Sequence, residues 1–306
     1  MVRPAPFSTQ TSGDLTADRR YAYGDGALGD GDFVAARDLF AQTLELAPGW
    51  PPAHLALAKA CLALGDEAAA AEALRQACAL DPEDRLGAGV LLAQISGEPV
   101  MPDAYVAGLF DEYAGRFDSH LVGALDYRAP EMLKAMLQHG DPLKGTMSEV
   151  LDLGCGTGLM ARALAGTSMA FTGVDLSAGM LAVAQTTGLY RRLACAELLA
   201  FLMREPDARY DLVIAADVFC YVPDLAPVFV ETRRVLRSGG RFAFSVQTHP
   251  GAGVIIGGDS RVHHAPRQIH DWAAAAELDV RQEIPASTRR DRGIPVPGAL
   301  FELLKP

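Results

Sequence analysis

The chain has 306 residues, half of them hydrophobic, enough for about two domains with sizeable cores. A formal charge of −11 argues against broad electrostatic binding to nucleic acid or anionic lipid. Its five cysteines (Cys61, Cys78, Cys155, Cys195, Cys220) form no CxxC pair, residues 1–10 lack an apolar leader core, and no apolar run reaches the roughly 20 residues of a membrane helix. A protein of the reducing cytoplasm is expected, with no metal centre, no membrane partner and no nucleic acid partner.

Residues 1–16 are polar and proline-containing and predict a loose tail. A repeat follows. Gly31 and Gly65, Asp32 and Asp66, Ala36 and Ala70, Phe40 and Leu74, and Pro48 and Pro82 each stand 34 residues apart. The pattern describes helix pairs: a small residue lets two helices approach, a large apolar one fills the gap, and the Gly-Asp pair turns the chain. A helix around residues 17–28 places Gly24 at another small position, and residues 85–95 read as a closing helix. The spacing resembles the tetratricopeptide family, with residues 17–98 as about two repeats and a cap. Such a module either packs against a domain or a second subunit, or offers a groove to a peptide or protein partner. Gly97, Pro99 and Pro102 then break the helical pattern, and a second domain is expected over 104–306.

That domain centres on residues 148–158, Ser-Glu-Val-Leu-Asp-Leu-Gly-Cys-Gly-Thr-Gly, followed by an alanine-rich helix. An apolar strand runs into three alternating glycines, where side chains would obstruct a ligand or strain the turn. A second strand, 170–174, ends in Asp175, whose carboxylate can accept from both hydroxyls of a ribose. Dinucleotide dehydrogenases use GxGxxG or GxGxxA, but Leu159 occupies the third small position here. Asp152, two residues before the first glycine, suits an ammonium or a water network and would sit badly against a pyrophosphate.

These residues resemble class I S-adenosylmethionine-dependent methyltransferases. Residues 150–158 look like their first motif and 171–180 like their second. Residues 193–198 are similar to the third strand and its turn, 210–219 to the fourth strand, 235–246 to a helix, Gly-Gly turn and fifth strand, and 278–284 with 299–304 to the final antiparallel pair. The resemblance implies an α/β fold: a Rossmann-like seven-stranded methyltransferase sheet behind an N-terminal α-helical tetratricopeptide module. The whole chain resembles bacterial tetratricopeptide-containing methyltransferases, on residues 109–121, 125–130, 261–264 and 289–296. Val262 departs from the aromatic residue expected there.

The resemblance implies S-adenosylmethionine as cofactor and a methyl-acceptor substrate, small molecule or protein. Cofactor contacts are expected from Asp152, Gly154, Cys155 (through its backbone), Gly156, Gly158 and Asp175. Glu197 would stand near the adenine amino group, with Ala196 and Leu198 flanking the ring and the Asp217–Val218 turn beyond. Leu176 and Met180 are expected either to sandwich the adenine or simply to pack a helix on the sheet. Tyr113 and Arg128 would come from lead-in helices folded over the cofactor, Arg128 pairing with the methionine carboxylate. On the acceptor side, Tyr221, His120, His249 and His264 are candidates, with His264 and Tyr221 expected as catalytic groups. The cluster Arg289, Arg290 and Arg292 is either a solvated rim or a binder of an acidic substrate group. A non-catalytic adenosylmethionine-binding scaffold and a nicotinamide-dependent oxidoreductase are the alternatives.

Overall fold

The Gly-Asp pairs end one helix and begin the next. In a computed structural model, which describes residues 11–118, 127–139, 148–166, 169–291 and 293–306, Gly31 and Gly65 adopt φ of +83° and +77°. That left-handed geometry closes a helix without a Cβ clash. Asp32 and Asp66 then cap the following helices, accepting from the N–H groups of Ala35 and Ala69. The helices are α1 (Leu15–Asp30), α2 (Phe33–Leu46), α3 (Pro51–Ala63), α4 (Glu67–Leu80) and α5 (Ala88–Ser96). Ala36, Phe40, Ala70 and Leu74 are fully buried, as the repeat requires. Gly24 faces Phe40 so closely that an added Cβ would lie 2.7 Å from the ring. The closing helix begins later than the expected residue 85, because Gly87 takes φ +74° at its start.

The chain divides into two units between Tyr105 and Val106, a point inside α6 (Asp103–Tyr113). A 3-10 turn at Ala114–Arg116 and α7 (Ala129–His139) lead into the second unit. There β1 (Ser148–Leu153), α8 (Leu159–Ala163), β2 (Met169–Asp175), α9 (Ala178–Thr186), β3 (Tyr190–Cys195), α10 (Leu198–Leu202) and β4 (Tyr210–Ala215) alternate. After a 3-10 turn at Phe219–Tyr221 come α11 (Ala226–Val235), β5 (Leu236–Gln247), β6 (Val254–Ile256), β7 (Val262–His264), α12 (Pro266–Ala275) and β8 (Asp279–Pro285). The strands β9 (Arg290–Asp291), β10 (Ile294–Pro295) and β11 (Gly298–Leu304) complete the described elements.

The main sheet has seven strands in the order β3-β2-β1-β4-β5-β11-β8, with β11 antiparallel to both neighbours. This is the expected α/β arrangement. Its parallel strands are buried on both faces, which is why they read as nearly continuous apolar runs. In β4, Val213 and Ala215 face one core with Phe242, Phe244 and Phe301, while Leu212 and Ile214 face the other with Leu133 and Leu300. The Gly239–Gly240 pair, expected as a turn, lies inside β5. Gly239 at φ +75° sits where the pairing jumps from Tyr210–Leu236 to Leu212–Arg241. A buried Arg241–Glu302 ion pair ties β5 to β11, and Arg241 also donates to the Leu137 carbonyl at 3.0 Å. The short hairpins β6–β7 and β9–β10 had no sequence signal strong enough to foresee.

Candidate functional site

Strand order reverses between β1 and β4, and a sheet of this kind leaves a crevice beyond the carboxyl ends of its strands at that point. The glycine loop stands there, and its three glycines answer to different constraints. At Gly154 (φ +63°) a Cβ would lie 2.3 Å from Val218 Cγ2, so the loop is pressed against the turn after β4. At Gly158 (φ +90°) a Cβ would meet the Tyr190 ring at 3.1 Å. At Gly156 (φ +52°) it would meet nothing within 4 Å, so this glycine borders open space. The Gly156 N–H donates to Asp175 Oδ2 at 2.8 Å, and the Ser177 N–H donates to Oδ1 at 2.9 Å. Each carboxylate oxygen keeps a lone pair for a further donor. The Cys155 N–H donates to the Val174 carbonyl at 3.0 Å, while its thiol is buried against Gly173.

Asp152 lies beneath this loop. It is 1% exposed and accepts from the Tyr190 hydroxyl at 2.6 Å. Burial pushes its carboxyl up to about 7, with Asp175 adding to the rise and the Tyr190 hydrogen bond opposing it. Asp175 is also raised, first by burial and then by Asp111, against its backbone hydrogen bonds. Asp111 and Asp118 were not singled out in the sequence, yet they fasten the lead-in segment to the crevice. Asp111 accepts from Ser177 Oγ and from the Gly179 N–H at 3.0 Å; Asp118 accepts from Thr157 Oγ1 and from Arg162 at 2.8 Å. Their seven-residue separation, two helical turns, was the available signal.

At the next strand ends, Leu176 is half-buried, whereas Met180 is 1% exposed and presents no surface to the crevice. Glu197 caps α10, accepting from Leu199 and Ala200 N–H groups at 2.8 and 2.6 Å. Ala196 is half-buried beside it, and Leu198 is buried in the core. Asp217 takes φ +57°, and its N–H donates to Ser245 Oγ at 2.8 Å.

Beyond Asp217 the chemistry changes from backbone to side chains. Tyr221 is buried, with Phe110 edge-on at 5.1 Å and the Arg261 guanidinium 4.7 Å above its ring. Burial raises the Tyr221 hydroxyl well above its ordinary range, so it stays protonated. Tyr113 is half-buried against Phe117 and feels the charge of Arg261. Arg289, 5% exposed, pairs with Asp259 at 3.1 Å and reaches Asp217 at 4.0 Å. Gln247 links Arg289 to Asp259 and His263 when its amide oxygen faces the guanidinium. Tyr127 lies in the segment 125–130 that carries the family resemblance. It is buried against Phe117 and Leu159; burial raises its hydroxyl, and the charges of Asp217 and Asp152 add to the rise.

His264, expected on the acceptor side as a catalytic group, lies in the interior. The residue is 0% exposed, packs edge-on against Trp272 and pairs through Nε2 with the Val222 carbonyl at 3.1 Å. Burial drives it down to about 4, leaving a neutral ring. His249 instead organises its own loop, contacting Gly253 and Gly251. Arg128 has an exposed side chain, while its N–H donates to the Thr288 carbonyl at 2.8 Å. Arg290 is exposed, and His120 and Arg292 lie outside the described residues. Val262 is buried in β7.

Residues 151–244 match the methyltransferase domain family, and residues 27–95 match the tetratricopeptide repeat family. A ubiquinone biosynthesis O-methyltransferase of Pseudomonas entomophila is 32% identical over 158 residues, covering 44% of this chain and 66% of that protein. The corresponding protein of Pseudomonas fluorescens is 34% identical with the same coverage, so the alignment stops just short of two thirds of these relatives' length. Among solved structures, the 1,6-didemethyltoxoflavin-N1-methyltransferase of Burkholderia thailandensis shares the fold, with a TM-score of 0.51 and 20% identity over 68% of this chain and 91% of that one. Sheet order and sequence similarity agree: residues 151–244 of this chain carry a methyltransferase domain, and residues 27–95 carry tetratricopeptide repeats.

Proposed function

We propose that this protein transfers the methyl group of S-adenosylmethionine to a small-molecule or protein acceptor in the reducing cytoplasm. The observation that carries the reading is the open cradle at Gly156, held by Asp175 at the strand-order switch point. The cofactor would supply a carbon already activated by its sulfonium, so the chain's task is alignment and exclusion of water. Asp175 has lone pairs left for a ribose diol, and Leu176 offers a half-buried apolar surface for the adenine, with Glu197, Ala196 and Leu198 at the next strand end. Asp152 and Met180 support this surface from beneath, and the loop leaves Gly154, Cys155, Gly156 and Gly158 as backbone against the ligand. Arg162, the basic side chain on the helix after the loop, is tied to Asp118, which fits a cofactor end without phosphate better than a pyrophosphate. Tyr113, Arg128, Asp217, Val218 and Tyr221 stand toward the methyl end, where Tyr221 would orient the acceptor. The tetratricopeptide unit would recruit a protein partner or a second subunit.

Calorimetric titration with adenosylmethionine and adenosylhomocysteine, beside nicotinamide dinucleotide, tests the cofactor. Micromolar binding of the first two and none of the third is expected; no binding of the first pair overturns the reading. Conversion of adenosylmethionine to adenosylhomocysteine with cell extract separates an enzyme from a non-catalytic binder.

A further inference from the structure

Arg261 is a charged group that methyl transfer as described leaves without a task. Its guanidinium carries five N–H donors. One of them, from Nη1, goes to a weak acceptor, Cys220 Sγ at 3.2 Å. The flat face rests on the Tyr221 ring. Among the described residues no carboxylate lies within ion-pair distance of Arg261, whereas neighbouring Arg289 is held by Asp259 and Asp217 together. Cys220 and Tyr221 do not supply the missing charge, because burial raises both groups, the thiol up to about 12. The charges of Asp217 and Asp259 both act on Arg261, and both carboxylates are shared with Arg289. The remaining donors of this half-buried guanidinium are not sealed from solvent, so a bound anion can take them up.

Its position decides what that anion belongs to. Val218 abuts the glycine loop at one end of the turn after β4; Cys220 and Tyr221, at the other end, carry Arg261. The guanidinium therefore stands past the loop, on the side from which an acceptor approaches. Apolar rings line the same place: Phe110 meets Tyr221 edge-on, and Tyr113 lies near enough to Arg261 for its hydroxyl to feel the charge.

We propose that Arg261 binds the anionic group, a carboxylate or a phosphate, of an acceptor whose apolar body lies against Phe110, Tyr113 and Tyr221. The proposal rests on the methyl-transfer reading and narrows the substrate to an organic acid or phosphate ester. Arg can engage either group through two parallel hydrogen bonds.

Saturation-transfer NMR titrations of the full chain, loaded with adenosylhomocysteine, would use benzoate, phenyl phosphate and neutral benzamide. At least one anion is expected to bind about tenfold or more tighter than benzamide, and the tighter anion identifies the group. Arg261→Gln should abolish that preference while adenosylhomocysteine affinity holds, and Arg261→Lys should retain part of it. Benzamide binding as tightly as both anions, no binding of either anion, or an unchanged preference in Arg261→Gln overturns the proposal. Should Arg261→Gln fail to fold, the ratio in the unmodified chain decides. Failure of adenosylhomocysteine to bind would sink the methyl-transfer reading instead, and the anion preference measured on the unloaded chain keeps the two failures apart.

Discussion

The two sides of the crevice are built in different ways. The side formed by β1, β2 and α9 is made mostly of backbone: left-handed glycines, N–H groups aimed at Asp175, and a helix cap at Ser177. The side formed by the turn after β4 and the segment from β5 to β9 is made of side chains drawn from distant positions. Cys220 and Arg261 are 41 residues apart, and Asp259 and Arg289 are 30 apart. A backbone-built site recognises the part of a ligand that does not vary, since little of it can be changed without breaking the turn. A side-chain-built site can be altered residue by residue, and so is the place where an acceptor is chosen.

The sharpest way to break this contrast is at Gly154. Gly154→Val should cost about 3 kcal/mol or more, because the left-handed φ and the 2.3 Å approach to Val218 act together. Thermal unfolding and cofactor titration should both register the loss. The double change Gly154→Ala with Val218→Gly, which removes both the Cγ2 at 2.3 Å and the Cβ at 2.7 Å, should recover the steric part only. Full recovery would mean the backbone angle is not a constraint.

Next comes the acid beneath the loop. An unfolded aspartate ionises near about 3.9, and Asp152 in the folded chain does so at about 7. Between those values the folded state keeps a proton that the unfolded state has lost, so stability falls as pH rises. Asp152→Asn removes this dependence. The variant should gain on the unmodified chain by on the order of 3 kcal/mol between pH 4 and pH 7, read from urea unfolding across that window. Parallel curves would place the proton elsewhere.

A smaller effect is expected at Asp175. Its alanine variant should weaken adenosylmethionine binding by about 1–3 kcal/mol, since charge-assisted hydrogen bonds are lost and two loop N–H groups lose their acceptor. Unchanged affinity by calorimetry would deny it a ribose role. The smallest effect belongs to His264. His264→Gln should leave kcat and its pH profile within about twofold and cost about 1 kcal/mol of stability, as for one buried hydrogen bond. A collapsed acid limb in the pH profile would make His264 the base instead.

The same contrast explains what could be read from the residues alone. The loop at 154–158, Asp175 and the strand runs are contiguous, and local backbone demands leave their mark in adjacent letters. The 34-residue period was equally legible, because each helix pair repeats one local solution. Arg261, Tyr127 and the Asp152–Tyr190 contact were not, since sheet topology selects those partners and no local pattern encodes it. The burial of His264 was illegible for a related reason. It alternates with His263 in β7 and shares its inward side with buried Val262, but a three-residue strand is too short to show alternation.

The placement of β11 bears on how the polypeptide is made. β8 leaves the ribosome before β11, yet its partner in the sheet is β11, which is inserted between it and β5. During synthesis, at about 5–20 residues per second, β8 has no strand to pair with and β5 keeps an open edge. A nascent chain halted before residue 298 should therefore be cut by protease near β5 and β8, and become resistant once residues 298–304 have emerged. Resistance before that point would mean that β8 finds another partner during translation.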